Sequence, residues 1–367
     1  MALAIQPMFL GALLDDHVIT TVELGWIATA EVFTTAIGLL VGVRVLRNSA
    51  GRWLVVASGV IMALANYGTW VAGTMMTALM SRVFAGMTEG VFMAVVVLCI
   101  TYGKAPGRLN AAFMTITAVP PIAATYYMSR FGAGIGYAAM AIFGLAGGAM
   151  AVAIRQPFAP STPEGSHRIK WTLPVVLSLS GTLLSSAANG AAWSYVVALG
   201  LELGFHSEQI GGAVMSYTAL QLVSTLLIMI IGYRMPFSFA LLSGTTLQFA
   251  TIVLLLNSHN FWIFFVALST LGFLFQGCVP FTTDLIISVD ESRATAPLLL
   301  PLLFIGLGVG SLIASPFVGA SVGGAFHVSI VLYMSAVACY ALVFWLRGKG
   351  FHVSDPRASA IIETPGE

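Results

Sequence analysis

Polarity along the chain follows one pattern: long apolar runs, each ended by a short break that carries Gly, Pro or charge. A helix that crosses a bilayer needs about 20 consecutive, mainly apolar residues. Runs of that kind lie at 24–46, 53–72, 75–102, 109–129 and 131–154, and again at 172–201, 209–232, 237–256, 260–288, 295–319 and 324–346. Residues 1–14 (MALAIQPMFLGALL) make a shorter twelfth run. The pattern predicts an all-α polytopic membrane protein with twelve transmembrane helices.

The first run does not fit the others. An α-helix over Met1–Leu14 reaches only about 21 Å, short of a hydrocarbon core of roughly 30 Å. Asp15 and Asp16 fix its outer end, so the deficit falls on the inner side. Two expectations follow: the true start lies upstream, or the terminus faces a water-filled cavity. Gln6-Pro7 reads like the middle of a longer helix, where membrane helices tolerate proline, and favours the first.

Composition removes the alternative of a large soluble core. Of 367 residues, 58% are hydrophobic and 8% are Asp, Glu, Lys or Arg, against roughly 25% charged in a soluble chain. So few charges cannot cover such a core in water; the solvent is largely lipid. The net charge of +1 and the lack of a long Lys/Arg run exclude a nucleic-acid partner. Cys99, Cys278 and Cys339 lie far apart in apolar runs, without CxxC spacing, so they read as packing residues and no metal or cofactor is expected. The N-terminus lacks a basic n-region and an A-x-A site, which argues against a cleavable signal peptide.

Charge position sets the orientation, because cytoplasmic loops collect Lys and Arg. Alternate breaks hold Arg44, Arg47 and Arg52; Lys104 and Arg108; Arg155, Arg168 and Lys170; Arg234; and Arg293, and the tail adds Arg347, Lys349 and Arg357. These are thirteen of the fifteen basic residues. The opposite breaks carry Asp15, Asp16, Glu23, Glu202 and Glu208. Both termini and the central loop are therefore expected in the cytoplasm, with the chain, a monomer, in a bacterial inner (plasma) membrane.

The one long polar interruption, 155–170, falls near the middle and reads as a linker. It divides the chain into a six-helix lobe at 1–154, a cytoplasmic linker at 155–170, a second six-helix lobe at 171–347 and a disordered tail at 348–367. The halves also repeat in sequence. The offset that lays Thr21 on Ser207 brings Thr21-Val-Glu-Leu-Gly25 onto Ser207-Glu-Gln-Ile-Gly211, each with a hydroxyl that can cap a helix and a glycine four positions later.

Ionisable residues inside a span cost about 2.5–3.5 kcal/mol each on insertion scales, so each calls for a reason. Arg82 and Glu89 share one span and, seven residues apart, nearly one face, about 10 Å apart along the axis. Glu31 on the second span falls at the depth of Arg82, so the pattern predicts a Glu31–Arg82 pair, with Glu89 nearer the midplane and without a cationic partner. The cluster has a formal charge of −1, and one carboxylate can load and release a proton. A static ion pair that holds the two spans in register is the competing reading, and Arg82 is a second candidate as an anchor for a carboxylate. Gly86 and Gly90 form a small-xxx-small pair suited to close helix approach.

Arg82-Val-Phe-Ala-Gly86, followed by Glu89-Gly90, matches a fourth-helix pattern of the major facilitator superfamily, and with the two-halves topology the chain resembles that family along nearly its whole length. Two other family patterns are degraded. Asn48-Ser-Ala-Gly51-Arg52-Trp53 keeps only the glycine and one basic residue of the loop between helices 2 and 3, and Val119-Pro120-Pro121 keeps proline without its glycines. The resemblance implies two pseudo-symmetric six-helix lobes and a secondary active transporter that moves a small organic solute by alternating access, coupled to H⁺. It implies that helices 1, 4, 7 and 10 line the cavity, with 2, 5, 8 and 11 at the lobe interface. On that basis Asn189, Trp193, Tyr217, Gln221 and Gln276 are the candidate cavity residues, and Arg52 and Asp284 a cytoplasmic gate. A non-transporting receptor or assembly factor of the same fold is the alternative. No nucleophile–base pair, metal ligand set or phosphate loop points to an enzyme.

Overall fold

A backbone in lipid has no water to satisfy its N–H and C=O groups, so apolar runs of this length close their hydrogen bonds within helices. The computed structural model describes residues 2–46, 51–102, 120–153, 170–231, 235–290, 295, 298–319 and 321–348. Their helices are α1 (Ala2–Asp15), α2 (Thr21–Val45), α3 (Gly51–Trp70), α4 (Met75–Tyr102), α5 (120–131) and α6 (Gly134–Ala153) in the first half. The second half holds α7 (Leu173–Glu202), α8 (Ser207–Ile231), α9 (Phe237–Leu256), α10 (Phe261–Val289), α11 (Leu299–Ala314) and α12 (Gly323–Gly348). Among the described residues, ten of these are long and apolar enough to cross a membrane. The described parts of α1 and α5 are shorter. Arg47, Asn48–Ala50, Lys104, Arg108, Val119, Arg155, Arg168, Arg234, Glu291, Arg293, Lys349, Arg357, most of the linker and the tail lie outside the described residues.

Helix ends shift by a few residues from the sequence pattern, for local reasons. The cap of α2 is Thr20 and not Thr21: its hydroxyl accepts from the Glu23 N–H, and the Glu23 carboxylate accepts from the Thr20 N–H at 2.8 Å. That capping box starts the helix ahead of the apolar run. Gly132, at φ 90°, breaks α5 from α6. At the end of α11 the helix tightens into a 3₁₀ turn, Ser315–Phe317, around Pro316.

Six of the seven tryptophans are half exposed or more, at the helix ends. Trp53, Trp171 and Trp345 lie near the linker end of the bundle, and Trp26, Trp70 and Trp262 near the opposite end. Trp53 and Trp70 are separated by about 26 Å along α3, close to a hydrocarbon thickness. Such rings sit at membrane–water interfaces, apolar body inward and N–H in the headgroups. The integral membrane character rests on both the apolar helices and these two belts. Trp193 alone among the tryptophans is buried.

The two halves repeat one packing scheme. α2 packs on α4 as α8 packs on α10, α3 on α4 as α9 on α10, and α3 on α6 as α9 on α12. Thr21 and Ser207, Gly51 and Phe237, and Met75 and Phe261 open the paired helices, and one constant displacement along the chain separates all three pairs. The same displacement relates Gly86 to Gly272 and Glu31 to Tyr217. A Cβ at Gly86 would collide with the carbonyl oxygen of Glu31, and one at Gly272 would lie 2.5 Å from that of Tyr217. Both glycines let two helix backbones touch. Between the halves, α2 packs on α11 and α1 on α7. Gly25 faces Tyr195 of α7 and Ser311 of α11, while Gly211 faces Met8 of α1 and Ser129 of α5.

Candidate functional site

The charged cluster assembles around Arg82, which is fully buried together with Glu31. The Arg82 Nη1 donates to Glu31 Oε1 at 3.2 Å, Nε to Thr69 Oγ1 at 2.9 Å and Nη2 to Asn66 Oδ1 at 2.8 Å. The guanidinium also lies 5.3 Å from the Phe9 ring and 5.9 Å from the Tyr137 ring, which stack on each other at 4.5 Å. Four helices besides α4 thus contribute to one cation: α1, α2, α3 and α6. The second oxygen of Glu31 accepts from Gln6 Nε2 at 3.0 Å. Every partner is polar or presents a ring face, which is how a cation survives burial.

Next to this cluster a cavity of about 720 Å³ lies between the halves, within the size range of small-molecule sites. Gln6 and Glu89 are polar residues of its first-half wall, beside Met62, Phe92, Met93 and Met140. Arg82 and Glu31 are not among its lining residues, although both are described. The placement corrects the reading of Arg82 as a solute anchor: its guanidinium is engaged by Glu31, Asn66 and Thr69 and is sealed from the cavity. Glu89, by contrast, is part of the cavity wall.

The opposite wall holds all five candidates of the second half: Asn189, Trp193, Tyr217, Gln221 and Gln276. The Trp193 and Tyr217 rings stack with centroids 4.0 Å apart and planes 23° apart. The Tyr217 hydroxyl donates to Asn189 Oδ1 at 3.4 Å. This ties α7 to α8, and both rings belong to the cavity wall. Ser194 and Ser311, hydroxyl to hydroxyl at 2.6 Å, join α7 to α11 at the same level.

The lining residues lie between the middle of the bundle and its linker end. At the other end the halves are in contact. Thr29 Oγ1 donates to the Gly308 carbonyl at 2.9 Å, Trp26 Nε1 to Ser315 Oγ at 2.9 Å, and Arg130 pairs with Glu208 at 3.1 Å. Arg52 stacks on its neighbour Trp53 at 5.3 Å, and Asp284 is half-buried on α10. Neither lines the cavity. Helix α6 lines one side of the cavity, through Met140, Phe143 and Gly144, which the division into lining and interface helices did not include.

Sequence reasoning missed Gln6, Asn66, Thr69, Phe9 and Tyr137. Asn66 and Thr69 had a legible signal: two polar residues three apart, hence on one face, inside an apolar span. Gln6 was seen only as part of a Gln-Pro pair, because its partner lies 25 residues away.

No family model and no curated protein sequence matches this chain. Among solved structures it is similar to the crystal structure of the nucleoside transporter NupG, with TM-score 0.68, 12% identity, and coverage of 94% of this chain and 97% of that one. A point mutant of NupG gives TM-score 0.70 and 10% identity, over 94% and 96% of the two chains. At these identities the likeness establishes the fold: this chain has the architecture of a membrane transporter with which it shares almost no sequence.

Proposed function

We propose that the chain is a secondary active transporter of the major facilitator type, which moves a small, neutral, ring-bearing organic solute by alternating access coupled to H⁺. The observation that carries this reading is the cavity between the two halves, with the Glu89 carboxylate on one wall and the Trp193–Tyr217 stack on the other. An aromatic stack takes a planar ring by its face, and the Asn189, Gln221 and Gln276 amides offer donors and acceptors to its edge. Nucleosides, the solutes for which the structural neighbours are named, combine such a ring with hydroxyl groups. Glu89 is the group proposed to load and release the proton.

The contacts at one end and the cavity toward the other describe one of the two states that alternating access needs. With the linker end cytoplasmic, this is the inward-facing state, and Arg52 and Asp284 stand at the end that must close in the opposite one. A monomer suffices, since both walls come from one chain.

Uptake of tritiated uridine and adenosine into proteoliposomes, with the outside acid, tests the reading. The expected result is accumulation that a protonophore abolishes. Proteoliposomes that take up neither solute, or take them up equally with the protonophore present, contradict it.

A further inference from the structure

Gln6 stands between the cavity and the buried ion pair. The residue is 2% exposed, yet it lines the cavity. Its amide nitrogen has two N–H groups and two acceptors, Glu31 Oε2 at 3.0 Å and the Ala28 carbonyl at 3.4 Å. Both neighbours are acceptors, which fixes the amide with nitrogen toward them and oxygen away. No donor among the described residues meets that oxygen, and it is not sealed from solvent. A buried amide with its nitrogen committed and its oxygen without a donor, on a cavity wall, is suited to accept a hydrogen bond from what fills the cavity.

The first helix of the second half offers a comparison. Helices α1 and α7 end at Asp15 and Glu202, and Gln6 and Trp193 stand equally far back from those ends, one residue out of the register that relates Glu31 to Tyr217. Gln6 rests on Glu31 of the following helix, and Trp193 rests on Tyr217, the counterpart of Glu31. Both halves thus present to the cavity one residue of their first helix, backed by one residue of their second. One is a hydrogen-bonding contact and the other an aromatic one.

Building on the transporter reading, we infer that Gln6 is a solute-binding and coupling residue: its carbonyl oxygen accepts a hydrogen bond from an O–H or N–H of the solute, while its N–H holds Glu31. Solute and ion pair then share one side chain. A solute that pulls the amide toward the cavity weakens the hold on Glu31, and a change at Glu31 alters the acceptor that the solute meets.

Binding of uridine, 2′,3′-dideoxyuridine and N3-methyluridine to the purified full chain, wild type and Gln6→Leu, tests the inference. In the wild type, the analogue that lacks the donor facing Gln6 binds about tenfold more weakly than uridine, the effect of one well-made hydrogen bond. In Gln6→Leu uridine weakens by about the same factor and that contrast disappears. Gln6→Glu guards against a folding failure: at acid pH its protonated carboxyl offers the same donor to Glu31 and the same acceptor to the cavity, so the contrast survives there. Uridine affinity unchanged in Gln6→Leu, or a contrast absent from folded Gln6→Glu at acid pH, overturns the inference and leaves the transporter reading standing. A wild-type protein that binds no uridine overturns the solute class, and the inference with it.

Discussion

The carboxylate of Glu31 and the guanidinium of Arg82 meet at 3.2 Å with both side chains closed off from solvent. Removing both charges together from such a site often costs little, because the attraction between them mainly offsets their desolvation; removing one leaves the other buried without compensation, at about 3–5 kcal/mol. Glu31→Gln is therefore expected to lower the thermal unfolding midpoint of the purified protein strongly, and Glu31→Gln combined with Arg82→Met to recover part of the loss. A single mutant with the wild-type midpoint contradicts this account of the pair.

Arg82→Lys separates structure from solute binding. An ammonium cannot reproduce a planar fork that serves Glu31, Asn66 and Thr69 in three directions. The expected outcome is a loss of about 1–3 kcal/mol in stability, as for a broken buried hydrogen bond, with solute affinity in the remaining folded protein unchanged. A selective loss of affinity at unchanged stability would return Arg82 to the role of anchor.

Neighbouring glycines make a controlled comparison. A Cβ at Gly211 would run into Ser129 of the other half, whereas one at Gly212 meets nothing within 4 Å. Alanine is better than glycine in a helix by about 1 kcal/mol. Gly212→Ala is expected to be neutral or stabilising and Gly211→Ala to destabilise the contact between the halves, read from unfolding midpoints. The same direction at both positions contradicts the packing described.

Much of the architecture was legible in the sequence because lipid imposes one rule, and apolar length reports it. The repeat was legible through Gly25 and Gly211, since glycine is what a contact between two helices of opposite halves requires. Its capping hydroxyl was misassigned by one residue: Thr20 carries the cap, because Glu23 closes the box from the third helical position. Arg82 and Glu31 were legible as a pair from depth alone. The ligands that complete Arg82 were not, since Phe9 and Tyr137 are ordinary apolar residues of distant helices until the fold stacks them. Gln6 was unreadable for the same reason: a polar residue in an apolar run does not announce which helix it will face.

Topology is checked by fusion. A reporter after Arg168 or after Gly350 is expected to report the cytoplasm, and one placed near His206 the exterior. An external report at 168 or 350 inverts one half of the chain and contradicts the twelve-span arrangement, because each helix added or removed reverses everything beyond it.

Glu89 is the residue on which the proposed coupling turns, and one experiment addresses it directly. Wild-type and Glu89→Gln proteins are reconstituted with a pH-sensitive dye trapped inside the vesicles, and uridine is added outside. The account predicts that uridine acidifies the interior of wild-type vesicles, while Glu89→Gln, an isostere that cannot ionise, folds and binds uridine but moves no protons with it. Uridine-dependent acidification that persists undiminished in Glu89→Gln would contradict Glu89 as the proton site.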